Sequence, residues 1–167
     1  MAIGIETERK FIIRMPECSA LCAEEGYQAS EITQIYFASK DGVTHRVRRR
    51  AYKEKTSFTE TKKTRISKMS VIEEEHELTA EEYESLLASH TVIGSLTKTR
   101  HIFLYGGHTI EIDIYPDWTR SCVLEVELAS EDEGLTLPSY IEVLRDVTGS
   151  REYSNHTMSQ NFPEELI

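Results

Sequence analysis

The sequence is poor in the residues that punctuate or cross-link a chain. It has four prolines, Pro16, Pro116, Pro138 and Pro163, and eight glycines among 167 residues, with no Pro/Gly-rich linker, repeat or low-complexity block. One domain spanning 1–167 is expected. Three cysteines, Cys18, Cys22 and Cys122, do not make a disulfide framework. Cys18 and Cys22 are four apart and suit one face of a short helix. No further Cys or His pair accompanies them, so they read as packing residues and not as a zinc site.

No apolar run approaches the roughly 20 residues of a membrane helix. The start "MAIGIETERK" lacks the apolar core of a secretory signal. A cytoplasmic protein with no membrane partner is expected. Basic residues are outnumbered, 19 Lys and Arg against 29 Asp and Glu, for a net charge of -10. Nucleic acid is thereby disfavoured as the main partner, although a local basic site is not. A Walker A loop and a GxGxxG motif are both missing. The six histidines stand in no Ser/His/Asp context.

What the chain does contain is alternation. Period-two segments predict strands near 3–13, 32–39, 43–52, 57–66, 71–78, 97–105, 108–115 and 122–129. "KDG" at 40–42 and "YGGH" at 105–108 read as hairpin turns. "TAEEYESLLASH" predicts a helix with Thr79 as N-cap and Glu82 at the capping-box position. "PSYIEVLRDVTG" predicts a second helix over 138–149, starting at Pro138 and stopped by Gly149. A third is expected over 17–25. Eight antiparallel strands and few helices imply an α+β fold built on a closed or nearly closed barrel.

The polar positions of these strands carry two or three charges of one sign. "HTIEIDIY" sets Glu111 and Asp113 on one face, and "CVLEVEL" sets Glu125 and Glu127. "VIEEEHEL" sets Glu73, Glu75 and Glu77; "VTHRVRRR" sets Arg46, Arg48 and Arg50; "ETERK" sets Glu6, Glu8 and Lys10. A solvated outer face would tolerate this pattern but gain nothing from it. The alternative is a barrel with its charges turned inward and its apolar faces covered by helices. Enclosed carboxylates need cations or protons, and hard oxygen donors suit Mg²⁺ or Mn²⁺. Enclosed Arg and Lys need an anion, and phosphate oxygens suit them. A polyphosphate carrying a divalent metal meets both demands.

"ETERK" at 6–10 also resembles the ExExK signature of the CYTH superfamily, the triphosphate tunnel metalloenzymes, named for class IV adenylyl cyclases and thiamine triphosphatases. Further elements follow in the family's order. "HRVRR" resembles its RxR strand and "TKK" at 61–63 its TxK element. "EEEHEL" resembles the ExE strand and "TKTRH" the KTR strand. "EIDIY" and "LEVEL" resemble the two acidic strands, and "SREYSN" at 150–155 the RYSN element. Relatives often carry a lysine in or just after RYSN; this chain reads Ser154, Asn155, His156, Thr157 and Met158 there.

The resemblance implies an eight-stranded tunnel that binds a triphosphate group through basic residues and divalent metal through acidic ones. Lys10, Arg46, Arg48, Lys63 and Arg100 are the implied phosphate contacts. Glu6, Glu8, Glu77, Asp113, Glu125 and Glu127 are the implied metal ligands, with Glu75 able to complete a second site and Glu73 and Glu111 read as structural. Lys98 and Tyr36 are the implied catalytic pair. Lys98 stands two residues from Arg100, and a neighbouring cation disfavours its charge. The expected activity is Mg²⁺- or Mn²⁺-dependent hydrolysis of a small-molecule triphosphate, foremost inorganic tripolyphosphate. The alternatives are a class IV adenylyl cyclase, a thiamine or nucleoside triphosphatase, and a binding module without turnover. Monomer and homodimer are both compatible with the sequence.

Overall fold

A computed structural model describes residues 1–167. Eight strands form the barrel: β1 (Ala2–Arg14), β2 (Glu25–Phe37), β3 (Val43–Tyr52), β4 (Lys55–Arg65), β5 (Ser70–Leu78), β6 (Val92–Tyr105), β7 (His108–Ile114) and β8 (Ser121–Glu127). Their spatial order is β5-β4-β3-β2-β6-β7-β8-β1, and β1 pairs back onto β5, closing the sheet. The barrel is therefore eight-stranded and antiparallel, as the alternation predicts. Closure removes the sheet edges and gives every strand one inward and one outward face.

The outward faces carry the grease. Phe11, Ile13, Phe103, Ile110, Ile112, Leu124 and Val126 form the larger core, with Leu21 of α1 (Cys18–Cys22) packed on it. Phe37 and Val47 form a smaller core under Tyr83, Leu86 and Leu87 of α2 (Ala80–Ser89). The expected capping box starts α2: Glu82 N donates to Thr79 Oγ1, and Thr79 N donates to Glu82 Oε2. A third cluster fills one end of the barrel. There Ile12, Leu96, Tyr115 and Val123 meet Trp118, Val147, Tyr153 and Met158 from the loop after β7 and from the C-terminal segment.

The helix expected over 138–149 does not form. That stretch makes one turn, closed by Ile141 N donating to Pro138 O, and then a short strand, β9 (Val143–Asp146). β1 is the reason. Its residues 2–7 pair with β5, while 11–13 pair with β8 on one edge and with β9 on the other. β9 thus fills the edge that β5 leaves free. Backbone pairing to a vacant edge overrides the local helical pattern. Arg9–Asp146 and Arg14–Glu142 ion pairs fasten the segment at both ends. Leu128, Leu135, Leu137 and Ile141 cover the outer face of β7 and β8 in the helix's place. The 17–25 helix is shorter than expected, and β2 begins at Glu25. A final short helix, α3 (Asn155–Met158), follows the RYSN-like residues.

Gly149 ties the C-terminal segment to the β4–β5 turn. Its φ is +74°, and an added Cβ would lie 2.5 Å from the Lys68 carbonyl oxygen. Gly149→Ala should cost about 1–3 kcal/mol through backbone strain and this clash. Urea unfolding measures it, and an unchanged midpoint would contradict the tight approach.

Candidate functional site

The inward faces enclose a cavity of about 690 Å³. Its wall includes Glu6, Glu8, Lys10, Tyr36, Arg46, Arg48, Lys63, Arg100 and Glu125. Nine of the thirteen site residues expected from the sequence are therefore brought to one cavity. Inward parity explains this grouping. β1 turns its even residues inside, β3 likewise, and β4 and β8 their odd ones. Lys63 accordingly lines the cavity, while its neighbour Lys62 is exposed.

Four expected residues lie elsewhere. Glu77 closes β5 and is exposed, outside the cavity wall. Glu127 sits in register opposite Glu8, but it ends β8 and is also exposed. Asp113 and Lys98 are sealed behind the wall, with side chains 1% and 0% exposed. Lys98 Nζ donates to Asp113 Oδ2 at 2.7 Å. Arg100 grips the same carboxylate through Nε and Nη2 at 2.7 and 2.8 Å. Asp113 is thus engaged with two cations. In exchange, Glu73, Glu75 and Glu111 line the cavity. Glu73 and Glu75 share strand parity with Glu77 but stand nearer mid-strand, so distance from the strand end was the missed signal. The RYSN-like segment contributes Arg151, Ser154, Asn155 and His156.

Charge is distributed unevenly. Lys10 pairs with Glu125 at 3.1 Å, and Lys63 with Glu6 at 2.7 Å and Glu73 at 3.2 Å. Arg100 also meets Glu111, and Glu125 at 3.6 Å. Burial alone would raise the Glu125 carboxyl, but Lys10 and Arg100 hold it down at about 2. Burial likewise opposes ionisation of Glu6, and Lys63 outweighs it. Glu8 is different. Burial and the neighbouring Glu125 charge push it up to about 8, beyond what Lys10 offsets. It is a carboxylate in want of a cation or a proton. Lys98 is depressed to about 7 by burial and by Arg100.

The donor set fits a divalent cation. Glu6, Glu8 and Glu125 offer hard oxygens, and Glu8 lacks a matched partner. No three Asp, Glu, His or Cys side chains converge as a preformed cage. That suits an ion held by one or two carboxylates and completed by phosphate oxygens and water, as Mg²⁺ usually is. Across the cavity, the Arg46 and Arg48 Nε–H groups are buried without an acceptor. Buried donors of this kind are costly unless a ligand receives them.

The sequence matches the CYTH domain over residues 4–159. The chain belongs to the CYTH family. Among solved structures, the inorganic triphosphatase NE1496 is similar at a TM-score of 0.60 and 23% identity, covering 95% of this chain and 97% of that one. PH1819 from Pyrococcus horikoshii has a TM-score of 0.57 and 18% identity over 76% and 80% of the two chains. HpAC1 from Hippeastrum, an adenylyl cyclase candidate with dominant triphosphatase activity, has a TM-score of 0.55 and 15% identity over 74% and 80%. No curated protein matches. At these identities the likeness establishes the CYTH barrel and nothing finer.

The raised Glu8 carboxyl gives the metal-free protein a pH signature. Between the ordinary carboxylate value and about 8, the unfolded chain releases a proton that the folded chain keeps. Stability therefore falls as pH rises through that window. In a chelator, Glu8→Gln should be more stable than the parent by at least about 1 kcal/mol at pH 8 and nearly equal to it at pH 4.5. Urea titrations at the two pH values check this; the same difference at both would refute the assignment.

Proposed function

We propose that this CYTH protein is a divalent-metal-dependent hydrolase of triphosphate groups, with inorganic tripolyphosphate as the foremost substrate. One observation carries the reading: a single cavity holds an under-compensated carboxylate, Glu8, and two arginines, Arg46 and Arg48, each with a buried Nε–H that lacks an acceptor. A metal–oligophosphate complex satisfies both at once. Family membership, and the triphosphatase activities carried by NE1496 and HpAC1, agree with this reading.

In the proposed arrangement one or two of Glu6, Glu8 and Glu125, Glu8 foremost, hold the cation, with Glu73, Glu75 and Glu111 within the same wall. The cation, Mg²⁺ or Mn²⁺, would neutralise phosphate oxygens and ease deprotonation of water. Lys10, Arg46, Arg48, Lys63 and Arg100 take the phosphoryl oxygens, Arg by paired hydrogen bonds and Lys as a point charge. The substrate competes with the carboxylates that hold Lys10 and Lys63 in the empty state. Positioning and charge stabilisation then supply the acceleration, as phosphoryl transfer demands. Tyr36 stands on the wall as the proton-handling group. Lys98 acts from behind it, tuning Asp113 and Arg100 with a charge that burial has made labile. Asp113 thereby serves as a brace for Arg100.

Hydrolysis is favoured over cyclisation because the cavity offers little for a purine. Its apolar lining residues are Tyr36, Val43, Met69, Val71 and Ile102. A phosphate-release assay on tripolyphosphate, thiamine triphosphate and ATP with Mg²⁺ and then Mn²⁺ tests the proposal. Phosphate should appear with tripolyphosphate and stop with chelator. Glu8→Gln and Arg46→Met should each lower kcat/KM at least ~100-fold while the fold persists. Cyclic AMP and pyrophosphate from ATP would establish the cyclase instead. No turnover of any triphosphate would leave a binding protein.

A further inference from the structure

The cavity's cations divide into two kinds. Lys10, Lys63 and Arg100 have carboxylate partners. The three inward arginines of β3 have neutral neighbours, supplied by β2. Arg50 Nε donates to Ser30 Oγ at 3.0 Å, and Arg48 Nη2 donates to Gln34 Oε1 at 3.0 Å. Gln34 Nε2 in turn donates to the Tyr36 hydroxyl oxygen at 2.8 Å, and Tyr36 is in register with Arg46. Gln34 is 0% exposed and lies directly across the β2–β3 ladder from Arg48.

The direction of this chain of bonds is forced. A guanidinium has only donors, so the Gln34 carbonyl oxygen must face Arg48. The Gln34 amide nitrogen must then face Tyr36, whose oxygen accepts. The Tyr36 hydroxyl hydrogen is left for an acceptor in the cavity. A glutamate at position 34 would hold Arg48 equally well but would neutralise it; a glutamine holds it and leaves the charge to the ligand.

Resting on the functional reading above, we propose that Gln34 is a positioning residue for oligophosphate binding. It aims the Arg48 guanidinium and the Tyr36 hydroxyl hydrogen into the cavity without cancelling charge. Gln34 touches neither metal nor phosphate itself; it acts through its two neighbours.

A double-mutant cycle on tripolyphosphate binding, measured by calorimetry in chelator, tests this. Gln34→Met should weaken binding about tenfold, the size of one hydrogen bond to a charged group. In an Arg48→Met background the same change should cost clearly less, about threefold or below, because only the part that runs through Tyr36 remains. Equal losses in both backgrounds, or no loss in either, would overturn the positioning role. If Gln34→Met does not fold, the near-isosteric Gln34→Glu serves: at least about tenfold weaker binding is expected, and parental affinity would overturn the proposal. Failure of the parent protein to bind tripolyphosphate both in chelator and with Mg²⁺ would instead overturn the functional reading on which the role rests; where binding needs Mg²⁺, the same cycle is read with the metal present.

Discussion

A charge turned into a closed barrel must find an opposite charge, a hydrogen bond or a ligand, because bulk water no longer screens it. The rest of this molecule is arranged around that constraint. Pairing β1 back onto β5 closes the sheet, and the strand period then sends each alternating charge inside. The apolar residues between them face outward, so most of the core lies outside the barrel, under α1, α2 and the chain that follows β8, with one further cluster plugging an end. Inversion of the usual arrangement is thus one consequence of closure and register together.

The constraint is met unequally around the cavity, and the inequality directs chemistry. On the β1, β4, β5 and β8 side, cations and carboxylates meet in pairs at 2.7–3.2 Å. These pairs compensate the enclosed charges locally. On the β3 side Arg48 and Arg50 have neutral partners, and no carboxylate forms an ion pair with them. Glu8 is the counterpart on the acidic side, a carboxylate whose surroundings favour a cation. The two sides of the cavity thus differ in charge before any ligand enters it.

Much of this was legible in the sequence, since the strand period is two and residue type reveals which face is which. "EIDIY", "LEVEL" and "HRVRR" placed their strands, and Glu125, Arg46 and Arg48 reached the cavity as parity requires. What was not legible depended on distant partners. Residues 138–149 have helical spacing, and only the vacant edge of β1 makes Val143–Asp146 a strand. Glu77 has the right parity, but it stands at the end of its strand, where the wall has ended. Asp113 is inward too, yet Lys98 and Arg100 on the neighbouring β6 claim it. Gln34 carries no charge, so a search for charged alternation passes over it.

The proposed function requires cation and phosphate to meet inside the barrel, between the wall of Glu6, Glu8 and Glu125 and that of Arg46 and Arg48. Diffraction from crystals grown with Mn²⁺ and tripolyphosphate, with anomalous data at the manganese edge, addresses it most directly. The account predicts manganese beside Glu6, Glu8 or Glu125 and phosphate density against Arg46 and Arg48. Manganese beside the exposed Glu77 or Glu127, with the enclosed charges still paired to one another and no phosphate among them, would contradict it.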